Sequence, residues 1–211
     1  MISFFAYAPY EAAPAVGTNK GIVLSGKTDK GIPFIDFTLK DATKLTEMVD
    51  LVVADQHDQK YSENSGTVNF KFGHILSKVL FKVKLKNALS GNTRIFVKKL
   101  EILGTTNNGT SKFYTKAEYK NQHWQYDAAN IPATDFDVAN IMNVAAVSGV
   151  GDYTKTAIEA TTSAKSLFKD GEFLFLIPVN DSETPGVETG TTANGEIKVR
   201  LTYDAITPDV N

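Results

Sequence analysis

The chain has 211 residues and a mass of 23.0 kDa, enough to bury a substantial core as one large β domain or two small ones without disulfide or metal staples. Its 42% hydrophobic and 22% charged residues argue against wholesale disorder, and 22 basic residues against 24 acidic, a net charge of -2, leave no basic excess to draw it to a phosphate backbone, so no nucleic-acid partner is expected. With no cysteine, disulfides, zinc–thiolate sites and thiol nucleophiles are excluded, although the compartment is not fixed.

Residues 1–7 lack the basic, apolar and cleavage-site succession of a secretory signal and read as a strand that begins at once. Either an export segment lies outside this sequence or the protein is cytosolic. Strands are predicted over residues 3–10, 32–39 and 49–54, each rich in aromatic or β-branched residues and bounded by Gly, Pro, Asn or Asp. A turn of helix is placed within 39–48. The polar stretch 56–65 is the best domain break. The clearest period-two alternation follows: Val68, Phe70 and Phe72 share one face, and after Gly73-His74 the phase resumes with Val79, Phe81, Val83 and Leu85. Lys78, Lys82, Lys84 and Lys86 take the other face, with Leu80 the exception. A strand greasy on one side and lysine-rich on the other belongs to an antiparallel sheet wet on one face. Further strands are predicted at 95–103, 113–119, 124–126, 172–179 and 196–203, with turn chemistry at 105–109 and 189–195. Residues 128–147 read as a loop with one or two turns. The longest apolar run, 173–179, is strand-sized and far short of the roughly 20 residues of a membrane-spanning helix. Its two faces, Leu174, Leu176 and Pro178 against Phe173, Phe175 and Ile177, are both apolar. That predicts a central strand, covered on both sides or lying at a domain contact, with Pro178 at its end, an edge or a bulge.

Catalytic and metal-binding patterns are sparse. Asp55, His57 and Asp58 crowd ligand-type side chains together, but they lack a spaced partner and read as a solvated linker, so no metal is expected. His74 lies among Phe72, Gly73, Ile75 and Leu76, with no nucleophile or orienting group nearby, and is expected to be a hydrogen-bonded structural histidine. No nucleophile elbow, phosphate loop or dinucleotide fingerprint occurs, and Ser148-Gly149-Val150-Gly151-Asp152 reads as a turn. Neither cofactor nor catalytic residue is assigned. Asp127, Asp135, Asp137 and Glu159 are the carboxylates a β-sandwich hydrolase would have to bring together in one cleft. The aromatic group Tyr114, Tyr119, Trp124 and Tyr126 admits two readings: a patch in which Tyr119, Trp124 and Tyr126 stack on sugar rings, or cross-strand core pairs.

Several segments resemble one family. Phe4-Phe5-Ala6-Tyr7-Ala8-Pro9-Tyr10 is similar to the fimbrillin strand that reads aromatic, Ala-Tyr, then Pro-Tyr, and Asp50-Leu51-Val52-Val53-Ala54 resembles the element after it. The block with Phe70, Phe72, His74, Ser77, Lys78 and Phe81 looks like the family's most recognisable one, and Leu176-Ile177-Pro178 resembles its Leu-Ile-Pro strand. Order and approximate spacing agree from residue 4 to residue 203. Ala8 and Val179 depart from the usual aromatic and Gln.

The resemblance implies an all-β protein built of transthyretin-like antiparallel β-sandwich domains: residues 1–64 as the C-terminal part of a first domain, and 65–211 as a second domain lacking its last strand. It implies a non-enzymatic fimbrial subunit or adhesin of the bacterial cell surface and outer membrane, lipid-anchored in its full-length form. Its partners would be other subunits, joined by β-strand exchange, and a surface receptor or glycan. An unpaired sheet edge beside an apolar groove is a physical template for such an added strand. A glycan-binding surface module is the alternative.

Overall fold

The computed structural model describes residues 1–13, 20–26, 31–40, 45–104, 113–132, 134, 136–137, 158–168, 170–179 and 197–207. The elements are strands β1 (Ile2–Ala8), β2 (Ile22–Leu24), β3 (Phe34–Thr38), β4 (Val52–Gln59), β5 (Gly73–His74), β6 (Ser77–Val79), β7 (Lys82–Val83) and β8 (Arg94–Ile102), then β9 (Lys116–Lys120), β10 (His123–Gln125), β11 (Phe136–Asp137), β12 (Ile158–Ala160), β13 (Lys165–Ser166), β14 (Leu174–Leu176) and β15 (Val199–Ile206). A four-residue helix α1 (Tyr61–Asn64) and 3-10 turns at Leu45–Glu47 and Ala128–Asn130 complete them. Every pairing among the described residues is antiparallel, so the protein is all-β.

Among the described residues, two hydrophobic cores organise the sheets. In the first, sheet β1-β4-β5 faces sheet β10-β9-β3-β2, and Ile22, Phe37, Leu51, Leu76, Tyr114, Trp124 and Ile177 are buried between them with Tyr7 and Val53 packed alongside. The β2 strand enters from Gly21, whose φ of +72° and close approach to the Thr38 carbonyl admit no Cβ. In the second, β8 is central, flanked by β15 on one edge and by β11 and β12 on the other. Its Val97, Leu100 and Ile102 pack against Leu174 and Leu176 of β14 and Leu167 beside β13. Sheet β10-β9-β3-β2 takes strands from both sides of residue 64, since β3 pairs with β9 along its whole length.

β14 lies at the seam. Leu174 and Leu176 belong to the β8 core, whereas Phe175 and Ile177 reach the other. This is the two-sided covering that the apolar run 173–179 predicts, but the strand is not central to a sheet: among the described residues β14 pairs with β6 alone. The alternation at 79–86 also holds: Val79, Phe81 and Val83 are half-buried against the β8 core while Lys82, Lys84 and Lys86 are exposed. It fails at 67–72. Only Gly73–His74 joins a ladder, opposite Val52 and Val53, and Phe70 and Phe72 are 38% and 46% exposed. Phe70 meets Phe4, ring centroids 6.4 Å apart, and Phe4 lies opposite the face through which Tyr7 and Val53 enter the core. Periodicity tells which side chains share a face but not whether a second layer covers it. The polar stretch 56–65 is not a plain linker either: β4 continues to Gln59 and α1 follows. Of 128–147, the structure describes one 3-10 turn and β11; residues 138–147 lie outside the described residues.

Candidate functional site

Three surfaces carry apolar side chains that are exposed or line a groove. The first is β15. Its residues Val199, Leu201 and Tyr203 pair directly with Ile102, Leu100 and Val97, and cross-strand partners share a face, so they extend the core-facing side of the β8 sheet. They are nonetheless 41%, 39% and 56% exposed. Ile197, just before them, is half-buried on the same core. On the opposite face the strand is fastened by charge: Arg200 lies 3.5 Å from Glu101 and Lys98 3.0 Å from Asp204, while Lys99 pairs with Glu101 at 2.6 Å. Farther along β8, Arg94 binds Glu159 of β12 through two hydrogen bonds, 2.9 and 2.7 Å. That fork holds the Glu159 carboxyl below its ordinary range. A bulge between Thr202 and Tyr203 shifts the register and twists the strand end.

The second surface is the outer face of β1, where Ile2, Phe4, Phe70 and Phe72 are exposed together. The third is a groove of about 820 Å3 between sheets β1-β4-β5 and β10-β9-β3-β2. Phe5, Tyr7, Phe34, Ile35, Val53 and Tyr119 line it. At one end Asp55 Oδ2 accepts from Gln122 Nε2 at 2.9 Å and meets His57 Nε2 at 2.6 Å, joining one sheet to the other. Asp55 and His57 meet because both lie on one face of β4, two residues apart, where the sequence reading of Asp55, His57 and Asp58 expects a solvated linker. Gln122 is presented by the two-residue β9–β10 turn, where Asn121 and Gln122 have φ of 50° and 65°, the twist-matched hairpin geometry that favours Asn at such a position. The Gln122 hydrogen bond, helped by His57, holds the Asp55 carboxyl below its ordinary value against the opposing effect of burial. Burial and the Asp55 charge raise the neighbouring Tyr119 hydroxyl. Among the described residues no group of three or more ligand-type side chains is placed to hold a metal ion.

The expected sugar-contact residues separate. Trp124 is buried and donates from Nε1 to the Ile75 carbonyl at 2.8 Å. Tyr126 is buried and donates to the Pro178 carbonyl at 2.7 Å. Neither ring faces solvent; they are core, and Tyr119 alone of the three reaches the groove, braced edge-on by Trp124 at 5.2 Å. Of the motif residues, Tyr7 packs on the first core, Pro9 follows a cis peptide bond, and Tyr10 is exposed. His74 is exposed and paired with Asp50 at 2.9 Å. Ser77 sits on β6 opposite Leu176, Lys78 lies 3.7 Å over the Phe173 ring, and Phe81 packs edge-on against Phe168 at 6.1 Å. Asp127 caps the 128–130 turn through the Ala129 N–H, Glu159 is held by Arg94, and Asp135 lies outside the described residues.

A family model described as fimbrillin-like matches residues 1–207. The chain belongs to the fimbrillin-like family. It is 38% identical over 217 aligned residues to fimbrium subunit Fim1C of Phocaeicola vulgatus, an alignment covering 98% of this chain and 54% of that protein. It also resembles the crystal structure of a fimbrial protein from Bacteroides vulgatus, with a TM-score of 0.74 and 35% identity over 98% of this chain and 62% of the other. The chain thus spans about half the length of the curated relative. The matched span 1–207 includes the whole motif series from Phe4 to Tyr203.

Proposed function

We propose that this fimbrillin-like chain is a non-enzymatic structural subunit of a cell-surface fimbrium, displayed at the outer membrane with its full-length form lipid-anchored, and that it joins neighbouring subunits by β-strand exchange. The observation that carries the reading is the stripe Val199, Leu201 and Tyr203, which continues the core-facing side of the β8 sheet yet remains about half wet. Among the described residues β15 pairs with β8 alone. A strand from a neighbouring subunit laid against this side would cover the stripe and extend the sheet. Covering the exposed part of each side chain would contribute roughly 1 kcal/mol, about half the value for full burial, before any ladder hydrogen bonds.

A synthetic strand with alternating apolar residues, added in excess, tests this. Because it binds only the folded chain, it should raise the melting temperature, by the equivalent of about 2.7 kcal/mol at a hundredfold excess over its Kd. Leu201→Asp should abolish the response. A melting temperature that ignores every such strand would refute strand exchange at β15.

A further inference from the structure

We propose that the groove between sheets β1-β4-β5 and β10-β9-β3-β2 is a saccharide site selective for pyranose units that carry a carboxylate. Its volume of about 820 Å3 lies within the roughly 300–1,000 Å3 of small-molecule sites, which join an apolar lining to a few placed polar groups. Phe5, Phe34 and Tyr119 supply aromatic surface, on which the C–H faces of a sugar ring pack, and Tyr119 is held in position by the buried Trp124 behind it. The polar end is fixed before any ligand arrives: Gln122 and His57 both spend themselves on Oδ2 of Asp55, leaving Oδ1 with acceptor capacity for hydroxyl donors.

Charge narrows the class. Lys71 and Lys120 line the groove, the Lys120 ammonium 5.6 Å over the Phe34 ring. Among the described lining residues Asp55 is the one carboxylate, already shared with His57, and Asp50 stands against the lining His74 at 2.9 Å. The two ammonium groups offer an anion direct partners in the groove, while Asp55 disfavours a doubly charged phosphate and can still accept from O–H donors, which a sugar has in number. A carboxylated saccharide satisfies both. The site is separate from β15, so this proposal and strand exchange fail independently.

Titration of the chain with trigalacturonate, followed by calorimetry or amide chemical shifts, tests it, with neutral galactotriose as the control. The acidic trisaccharide should bind at least tenfold more tightly and perturb the amides of Asp55, Tyr119 and Gln122. Lys71→Glu with Lys120→Glu should remove that preference at an unchanged melting temperature, and Phe5→Ala, at an exposed position, should weaken both sugars. Equal affinity for the two sugars, no binding of either at millimolar concentration, indifference to the charge reversal, or tighter binding of adenosine monophosphate or of an alternating apolar peptide in the same groove would each overturn it.

Discussion

Phe37 and Phe72 look alike in the sequence, each an aromatic in an alternating segment, yet truncating them should have very different consequences. Phe37 is 1% exposed, on the central strand pair β3–β9, with its ring centroid 6.2 Å from that of Trp124. Phe37→Ala removes the transfer energy of a fully buried ring and leaves a cavity that Trp124, Ile22 and Leu51 cannot all close, a loss of about 3–5 kcal/mol. For a chain of this size that lowers the melting temperature by roughly 6–20 °C. Phe72 is 46% exposed, makes its ring contact with Phe70 at 6.4 Å and lies outside every ladder. Phe72→Ala therefore forfeits about half of the 1.5–3 kcal/mol of full burial and opens no cavity, roughly 1 kcal/mol. Urea unfolding of both variants, followed by tryptophan fluorescence and far-ultraviolet circular dichroism, reads the difference directly. Equal midpoints would refute the assignment of faces at 67–74.

Tyr126→Phe loses the hydroxyl that donates to Pro178 across the seam and should cost about 1–2 kcal/mol; Tyr114→Phe, whose buried hydroxyl has no hydrogen-bond partner among the described residues, should be neutral or slightly stabilising, and chemical denaturation distinguishes the two. Burial pushes the Tyr126 hydroxyl up to about 12, so its contribution is complete below the ordinary tyrosine value near 10 and should be lost as pH rises from about 10 to 12, visible as phenolate absorbance appearing together with unfolding. The Asp55 and Glu159 carboxyls are both held low. Their stabilisation is present above the ordinary carboxylate values near 4 and disappears as pH falls through the lowered ones, so Glu159→Gln should flatten the acid limb of a stability–pH curve.

The strands were legible where burial is one-sided and the ladder is local. The lysine-rich phase at 79–86 and the two-sided run at 173–179 both appear where alternation places them, because each strand's pattern is imposed by the layer it covers. The segment 67–72 misled because a covered apolar face and an uncovered one read identically along the chain. Pairing between distant segments was invisible for a different reason: nothing local in residues 34–38 specifies residues 116–120 as their partner, though that pairing builds one wall of the groove. The same pairing explains the aromatic group. Of the two readings of that group, core packing holds for Trp124 and Tyr126, whereas the groove's Phe5, Asp55, Tyr119 and Gln122 come from three strands and a turn that only the tertiary fold brings together. The Asp55–His57 contact had a readable signal, i and i+2 on one strand, once β4 is extended to Gln59.

The most direct test of the account is amide hydrogen exchange on fimbriae assembled from the full-length protein, compared with its unassembled form. If subunits join by strand exchange at β15, the amides from Val199 to Ile206 should exchange at least tenfold more slowly in the assembled state, and Leu201→Asp should abolish both that protection and the fibres. Assembled fimbriae in which β15 exchanges as fast as in the free subunit would contradict it.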